Sequence, residues 1–150
     1  HTHAAILSTG DEVLLGQIAD ANARFFAAAL ADLGIMPAEH AVVGDHLPTL
    51  VATLRRLAHA APLVIMSGGL GPTDGDLTRP ALAELLGQPL LEDPDARRDL
   101  EARLAARNRP VTARLLRQAQ RPASARCLPN PHGTAPRLHA RIPTTAAPHP

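Results

Sequence analysis

Before Gly87 the chain passes three times from a short apolar run, through a turn holding glycine and an acid, into a stretch with helical apolar spacing. The runs are 4–9, 39–43 and 63–66, the last bounded by Pro62 and a glycine cluster. Each reads as a short buried strand. After the first, Asp20 is placed as an N-cap, and Phe25, Phe26, Ala29, Leu30 and Leu33 recur at three- and four-residue spacing before Gly34, which predicts a helix over 21–33. After the second, Leu47-Pro48-Thr49 leads into a helix with Leu50, Val51, Leu54, Leu57 and Ala58 on one side and Arg55, Arg56 and His59 facing water. After the third, a helix is expected over 79–86, stopping at Gly87. Connections this short leave room only for crossovers. The alternation therefore predicts an α/β fold, a doubly wound, mainly parallel sheet with helices on both faces, in which ligands collect at the carboxyl ends of the strands.

The turn after the third strand, Ser67-Gly68-Gly69-Leu70-Gly71-Pro72-Thr73-Asp74-Gly75-Asp76-Leu77-Thr78, is the richest in chemistry. Gly68, Gly69 and Gly71 lack Cβ, so the backbone can take positive φ and present amide donors to an anion near a helix start. Asp74 and Asp76 in the same loop would repel that anion unless a cation lay between, which points to Mg²⁺ bridging protein and phosphate oxygens. The loop has no Lys-Ser/Thr pair after its glycines, and its glycine spacing is not the dinucleotide fingerprint. The same residues could also serve only a tight turn, with Asp74 or Asp76 as a helix cap. Pro80 helps to separate these roles. With Asp76 as N-cap it would delete the first intrahelical bond, whereas Thr78 as N-cap places it where no donor is needed and leaves Asp76 for a ligand. The three strand-end turns carry Glu12, Asp45 and Asp76, which one cleft could bring together.

A chain of 150 residues with 45% hydrophobic content is expected to form one domain. Phe25 and Phe26 are its only aromatics, so a stacking platform for single-stranded nucleic acid is absent and no nucleic-acid partner is expected. Acids gather before Glu101 and arginines after it, although the net charge is only +1. Cys127 stands alone, which excludes an intrachain disulfide or a multi-cysteine metal site and fits a reducing, cytoplasmic setting. No apolar run reaches membrane-spanning length, and a strand pattern begins too near the N-terminus for a signal peptide, so no membrane association is expected. Beyond Gly87, helices are expected over 94–107, with Leu100 and Leu104 as a thin stripe, and over 111–120, where Gln118 and Gln120 are further candidate contacts. A short strand over 125–128 and a turn-rich loop over 129–136 follow. From Arg137 onward Pro143, Pro148 and Pro150 break every window, so the reading is a domain over 1–136 and a disordered tail over 137–150. A sheet left with an unpaired edge favours a homo-oligomer.

Ser8-Thr9-Gly10-Asp11-Glu12-Val13-Leu14-Leu15-Gly16-Gln17-Ile18, Asp20-Ala21-Asn22, Val43-Gly44-Asp45 and the glycine loop through Asp76-Leu77-Thr78 resemble the MoaB/Mog-type molybdopterin-binding domain. Together with Arg117-Gln118-Ala119, Leu128-Pro129-Asn130 and Gly133-Thr134-Ala135-Pro136, they are most similar to the N-terminal domain of the CinA (competence/damage-inducible protein A) family. The resemblance implies a three-layer α/β fold. It also implies metal-dependent hydrolysis of the diphosphate of ADP-ribose, an ADP-ribose pyrophosphatase activity. The alternatives are a molybdopterin-binding module of molybdenum cofactor metabolism without hydrolysis, or an inactive fragment. By position, the family's functional carboxylates fall on Glu12, Asp45 and Asp76, with Asp45 and Asp76 as metal ligands. Contacts to the nucleotide or pterin fall on Gly10, Asn22, Gly68, Gly69, Gly71, Thr73, Asn130, Gly133 and Thr134. The implied cofactor is Mg²⁺ or another divalent cation, Mn²⁺ or Co²⁺, with K⁺ a further candidate. After Gly-Thr-Ala-Pro the family continues with a glycine, a strand, a proline-glycine loop and a helix. Arg137 instead begins a Pro-, His- and Ala-rich stretch, from which a shifted reading frame or a truncated gene is expected.

Overall fold

In the computed structural model, which describes residues 3–143, the described residues divide into two compact units, one over 3–68 with 142–143 and the other Gly69–Arg141. In the first, β1 (His3–Thr9) lies between β2 (Met36–Val43) and β3 (Val64–Ser67) and runs parallel to both. Thr9 pairs with Val43 and Ser8 with Ser67, so the three strands end at nearly one level. The unbroken apolar run from Ala4 to Leu7 is what a parallel strand covered on both faces requires, and all four residues are buried.

α1 (Asp11–Leu14) is a single turn, and α2 (Ala21–Asp32) begins where Asp20 accepts a hydrogen bond from the Ala23 amide at 2.9 Å. That cap also ties the helix to the sheet, because the second oxygen of Asp20 lies 3.1 Å from His40 Nε2 on β2. Ala23 and Leu30, with Phe26 and Ala27 beside them, pack on Ala4 and Ile6. Ala5 and Leu7 alternate to the other face of β1. α3 (Leu47–Ala60) buries Leu50, Val51, Leu54 and Leu57 and contacts both β1 and β2. The parallel α/β layering expected from the alternation is therefore present.

β2 starts at Met36, three residues before the sequence predicts. Pro37 does not end it, because β2 is an edge strand of this sheet and the register with β1 slips there: Ala4 faces Pro37 and Ala5 faces Glu39, so Ala38 has no opposite residue.

The second unit holds α4 (Thr78–Leu86), β4 (Leu90–Glu92), α5 (Pro94–Ala106), α6 (Ala113–Leu116), β5 (Gln120–Pro122), β6 (Arg126–Leu128) and β7 (Arg137–His139). β4 pairs antiparallel with β5, and β6 with β7. Leu100 and Leu104 form the expected stripe, packed with Ala96 and Ala119 and flanked by Leu115, Leu116 and Cys127. The helix expected over 111–120 is shorter. Thr112 caps it by accepting from the Leu115 amide, a 3₁₀ turn over Arg117–Ala119 tightens its end, and Gln120 is already paired in β5. The absence of any element after Arg137 is likewise corrected: Leu138 sits opposite Cys127, and β6 supplies the ladder that proline-rich surroundings conceal in the sequence. The rest of the expected tail, 144–150, lies outside the described residues. Among the described residues no helix is long and apolar enough to cross a membrane.

Candidate ligand site

Three glycines follow the three parallel strands of the first unit: Gly44 after β2, Gly10 after β1 and Gly68 after β3. Gly10 has φ 141° and donates its amide to the Val43 carbonyl at 3.1 Å, which closes the turn across the strand ends. The Glu12 carboxylate folds back over it, and a Cβ on Gly10 would lie 2.7 Å from Glu12 Oε1. The Glu12 carboxylate has no hydrogen-bond partner among the described residues, although its main-chain carbonyl accepts from the Gln17 and Ile18 amides. Its neighbour Asp11 has a structural task instead: Oδ1 accepts from the Asp45 amide at 2.9 Å and presses against Gly44. Asn22, at the start of α2, donates to Ser67 Oγ at 2.9 Å and so reaches the end of β3. Gly68 has φ 99°, and a Cβ there would lie 2.2 Å from the Thr9 carbonyl oxygen. Glu12, Gly10, Asn22, Asp45 and Gly68 thus all sit at the strand-end side of this sheet.

In the second unit the glycine loop turns inward on its own acid. Asp76 accepts from the Gly71 amide at 2.8 Å, from the Thr73 amide at 2.7 Å and from Thr73 Oγ1 at 2.5 Å. Asp76, expected to be left for a ligand, has both oxygens engaged, and they use the Gly71 and Thr73 amides that an anion would take. The reason is local. Leu77 rather than Thr78 is the N-cap of α4, Pro80 falls at its third position, and the first intrahelical bond runs from the Ala81 amide to the Leu77 carbonyl at 2.8 Å. Asp76 then lies just before the helix, where loop amides point at it. The Gly69 and Leu70 amides are without acceptors among the described residues.

Arg79, only 3% exposed, holds this loop from beneath, donating to the Leu70 carbonyl at 2.7 Å and the Gly71 carbonyl at 3.2 Å. Burial pushes its pKa down, and the Asp76 charge opposes that. Arg117 pairs with Asp74 at 2.7 Å, and Arg114 donates to the Pro72 carbonyl at 3.3 Å. Sequence reasoning passed over Arg79. An arginine in the first turn of a helix stands at the wrong end of the dipole, and that misfit was the available signal.

Burial alone would raise the Asp76 pKa, but the Thr73 hydroxyl and amide, the Gly71 amide and the Arg79 charge outweigh it and hold the carboxyl below its ordinary 3.8. A carboxyl depressed in the folded state contributes stability above that ordinary value and loses it as pH falls through the folded one. Asp20, Asp74 and Asp93 are depressed too, so wild-type stability is expected to fall with acidification below pH 4. An Asp76→Asn variant should lose less over the same range, read as the difference in urea midpoint between pH 6 and pH 3. Equal losses would show that the loop bonds do not favour the ionised carboxylate.

Asn130 closes a second loop of the same unit. Its Oδ1 accepts from the His132 amide at 3.1 Å and the Gly133 amide at 3.2 Å, while Nδ2 donates to the Ala135 carbonyl at 2.9 Å. Asn130, Gly133 and Thr134 line a cavity of about 380 Å³ with Asp99, Arg126 and Cys127, whose thiol pKa is pushed up by burial. Among the described residues no three His, Cys, Asp or Glu side chains gather into a metal-holding group.

The family described as "Probable molybdopterin binding domain" matches residues 5–148. A solved structure of the protein CinA from Thermoplasma acidophilum, titled as of unknown function, superposes with a TM-score of 0.84 at 34% identity, covering 91% of this chain and 80% of that one. The chain belongs to the CinA-like branch of this family. A competence-damage inducible protein of Moorella thermoacetica is 49% identical over 132 residues, 88% of this chain and 32% of that protein. The chain thus spans about a third of the length of the curated relatives it matches. The molybdopterin biosynthesis enzyme MoaB of Thermus thermophilus shares the fold at a TM-score of 0.54 and 25% identity, over 68% of this chain and 64% of that one. The match runs past Arg137, where the motif resemblance stops at residue 136, in keeping with β7 being an element of this CinA-like domain.

Proposed function

We propose that this CinA-like domain binds a phosphate-bearing nucleotide or pterin at the glycine-lined strand ends and, with a divalent cation, hydrolyses the diphosphate of ADP-ribose. The observation that carries the binding half is the succession Gly44, Gly10 and Gly68 after three parallel strands, where backbone without side chains lets phosphate oxygens come close. For the hydrolytic half, the support is the Glu12 carboxylate over Gly10, which has no partner among the described residues and is positioned to orient a water. Glu12 and Asp45 carry the hard oxygens that Mg²⁺, Mn²⁺ or Co²⁺ take, and the cation would neutralise the diphosphate charge. Asp76 fits a metal less well, since its oxygens already accept three hydrogen bonds. In this reading it keeps the loop in shape.

That same engagement of Asp76 favours a second reading, a pterin-binding module without hydrolysis, which the family description also supports. Incubating the chain with ADP-ribose and Mg²⁺ and assaying AMP separates the two. AMP release, with a loss of about 100-fold in Glu12→Gln and Asp45→Ala at unchanged circular dichroism, is the result expected of the hydrolase. Binding of ADP-ribose or pterin without AMP would leave the module. No binding of either would remove both.

A further inference from the structure

The cavity of about 380 Å³ in the second unit has the size of a small-molecule pocket and is lined by α5, β6 and the loop between β6 and β7. Its walls carry charge that the fold does not spend. α5 has six charged side chains, and four of them are in ion pairs: Asp95 with Arg98, and Arg97 with both Glu101 and Glu92. The two outside any ion pair among the described residues are Asp99 and Arg103, and both line the cavity. They stand four residues apart, the spacing at which an acid and a base pair on a helix. Arg103 instead donates to the Pro131 carbonyl at 3.4 Å, and Asp99 is left without a hydrogen-bond partner among the described residues. Arg126 of β6, also on the cavity wall, has none either. Asp93 and Arg121 are spent on each other at 2.7 Å.

We propose that this cavity binds a free amino acid with a side-chain carboxylate, its ammonium on Asp99 and its two carboxylates on Arg103 and Arg126. One unpaired acid against two arginines asks for a ligand with one positive and two negative groups. A guanidinium meets a carboxylate with a planar fork of donors, and an ammonium donates to carboxylate oxygens. The carbon chain of such a ligand is short, and Ala96, Cys127, Leu128 and Pro136 supply apolar wall for it. A phosphate would suit the arginines but be repelled by Asp99. Asn130 adds no free group, since both ends of its amide are bonded within its own loop. None of the three charged residues is used in the strand-end reading.

Calorimetric titration of the full chain with L-glutamate is expected to give saturable heat with one ligand per chain. Glutarate, which lacks only the ammonium, should bind about tenfold more weakly. Asp99→Asn should weaken L-glutamate about tenfold and improve glutarate, and Arg126→Ala should weaken both about tenfold. Both side chains are exposed, so circular dichroism should not change. Absence of heat with L-glutamate, glutarate binding as tightly as L-glutamate, or unchanged affinity in Arg126→Ala would overturn the proposal. Displacement of L-glutamate by ADP-ribose would also overturn it, by giving the cavity to the nucleotide. AMP release reports on the strand-end reading separately and is expected to be the same in Arg126→Ala as in the wild type.

Discussion

Gly68→Ala is expected to remove about 4 kcal/mol or more of stability and to abolish ligand binding with it. Two effects act together. At φ 99° any residue with a Cβ is strained by about 1–3 kcal/mol. The added carbon would also lie 2.2 Å from the Thr9 carbonyl, and the obstacle is backbone in a buried strand rather than a side chain that can swing away. Relief would have to come from pulling the end of β3 off β1, where Ser67 pairs with Ser8. Gly16→Ala is the control, since Gly16 has φ 70° with nothing within 4 Å of the added carbon; only strain applies there, about 1–2 kcal/mol. Urea midpoints of the two variants measure the difference. If Gly68→Ala loses no more than Gly16→Ala, the close approach of the turn to β1 is not a constraint on the site.

What was legible beforehand follows from how far each element announces itself locally. β1 holds the buried apolar run from Ala4 to Leu7, α3 repeats Leu50, Leu54 and Leu57 with helical spacing, and Asp20 occupies a cap position, so each could be read from its own residues. The pairs β4 with β5 and β6 with β7 could not. Strands of three residues have no period to detect, and Leu138 becomes a strand residue only because Cys127 faces it from another part of the chain. The site divides along the same line. Glycines after strands are a sequence pattern, and the structure keeps Gly10, Gly44 and Gly68 at the strand ends. Which carboxylate is available is a question of hydrogen-bond partners. The spacing around Pro80 makes Asp76 look open, yet its own loop engages it, while Asp11 beside Glu12 braces the Asp45 turn.

Arg79→Met should show how much of the glycine loop's shape is imposed from below. The guanidinium is almost fully buried, and its two terminal nitrogens satisfy the Leu70 and Gly71 carbonyls. A thioether of similar reach fills the space and donates nothing. Each carbonyl left unsatisfied costs about 1–3 kcal/mol, which predicts a loss of about 2–6 kcal/mol for the pair. Arg79→Lys should fall between, because one ammonium on a flexible stem cannot reproduce a planar fork aimed at two acceptors. The charge matters separately through Asp76, whose carboxyl is held ionised partly by Arg79. The two side chains should therefore be coupled by about 0.5–3 kcal/mol in a cycle of Arg79→Met, Asp76→Asn and the double variant. Arg79→Met within about 0.5 kcal/mol of wild type would mean that the loop holds its own shape. Additive losses in the cycle would mean that the arginine supports the carbonyls alone, and that the acid facing the loop amides is set by the helix start rather than by the cation beneath it.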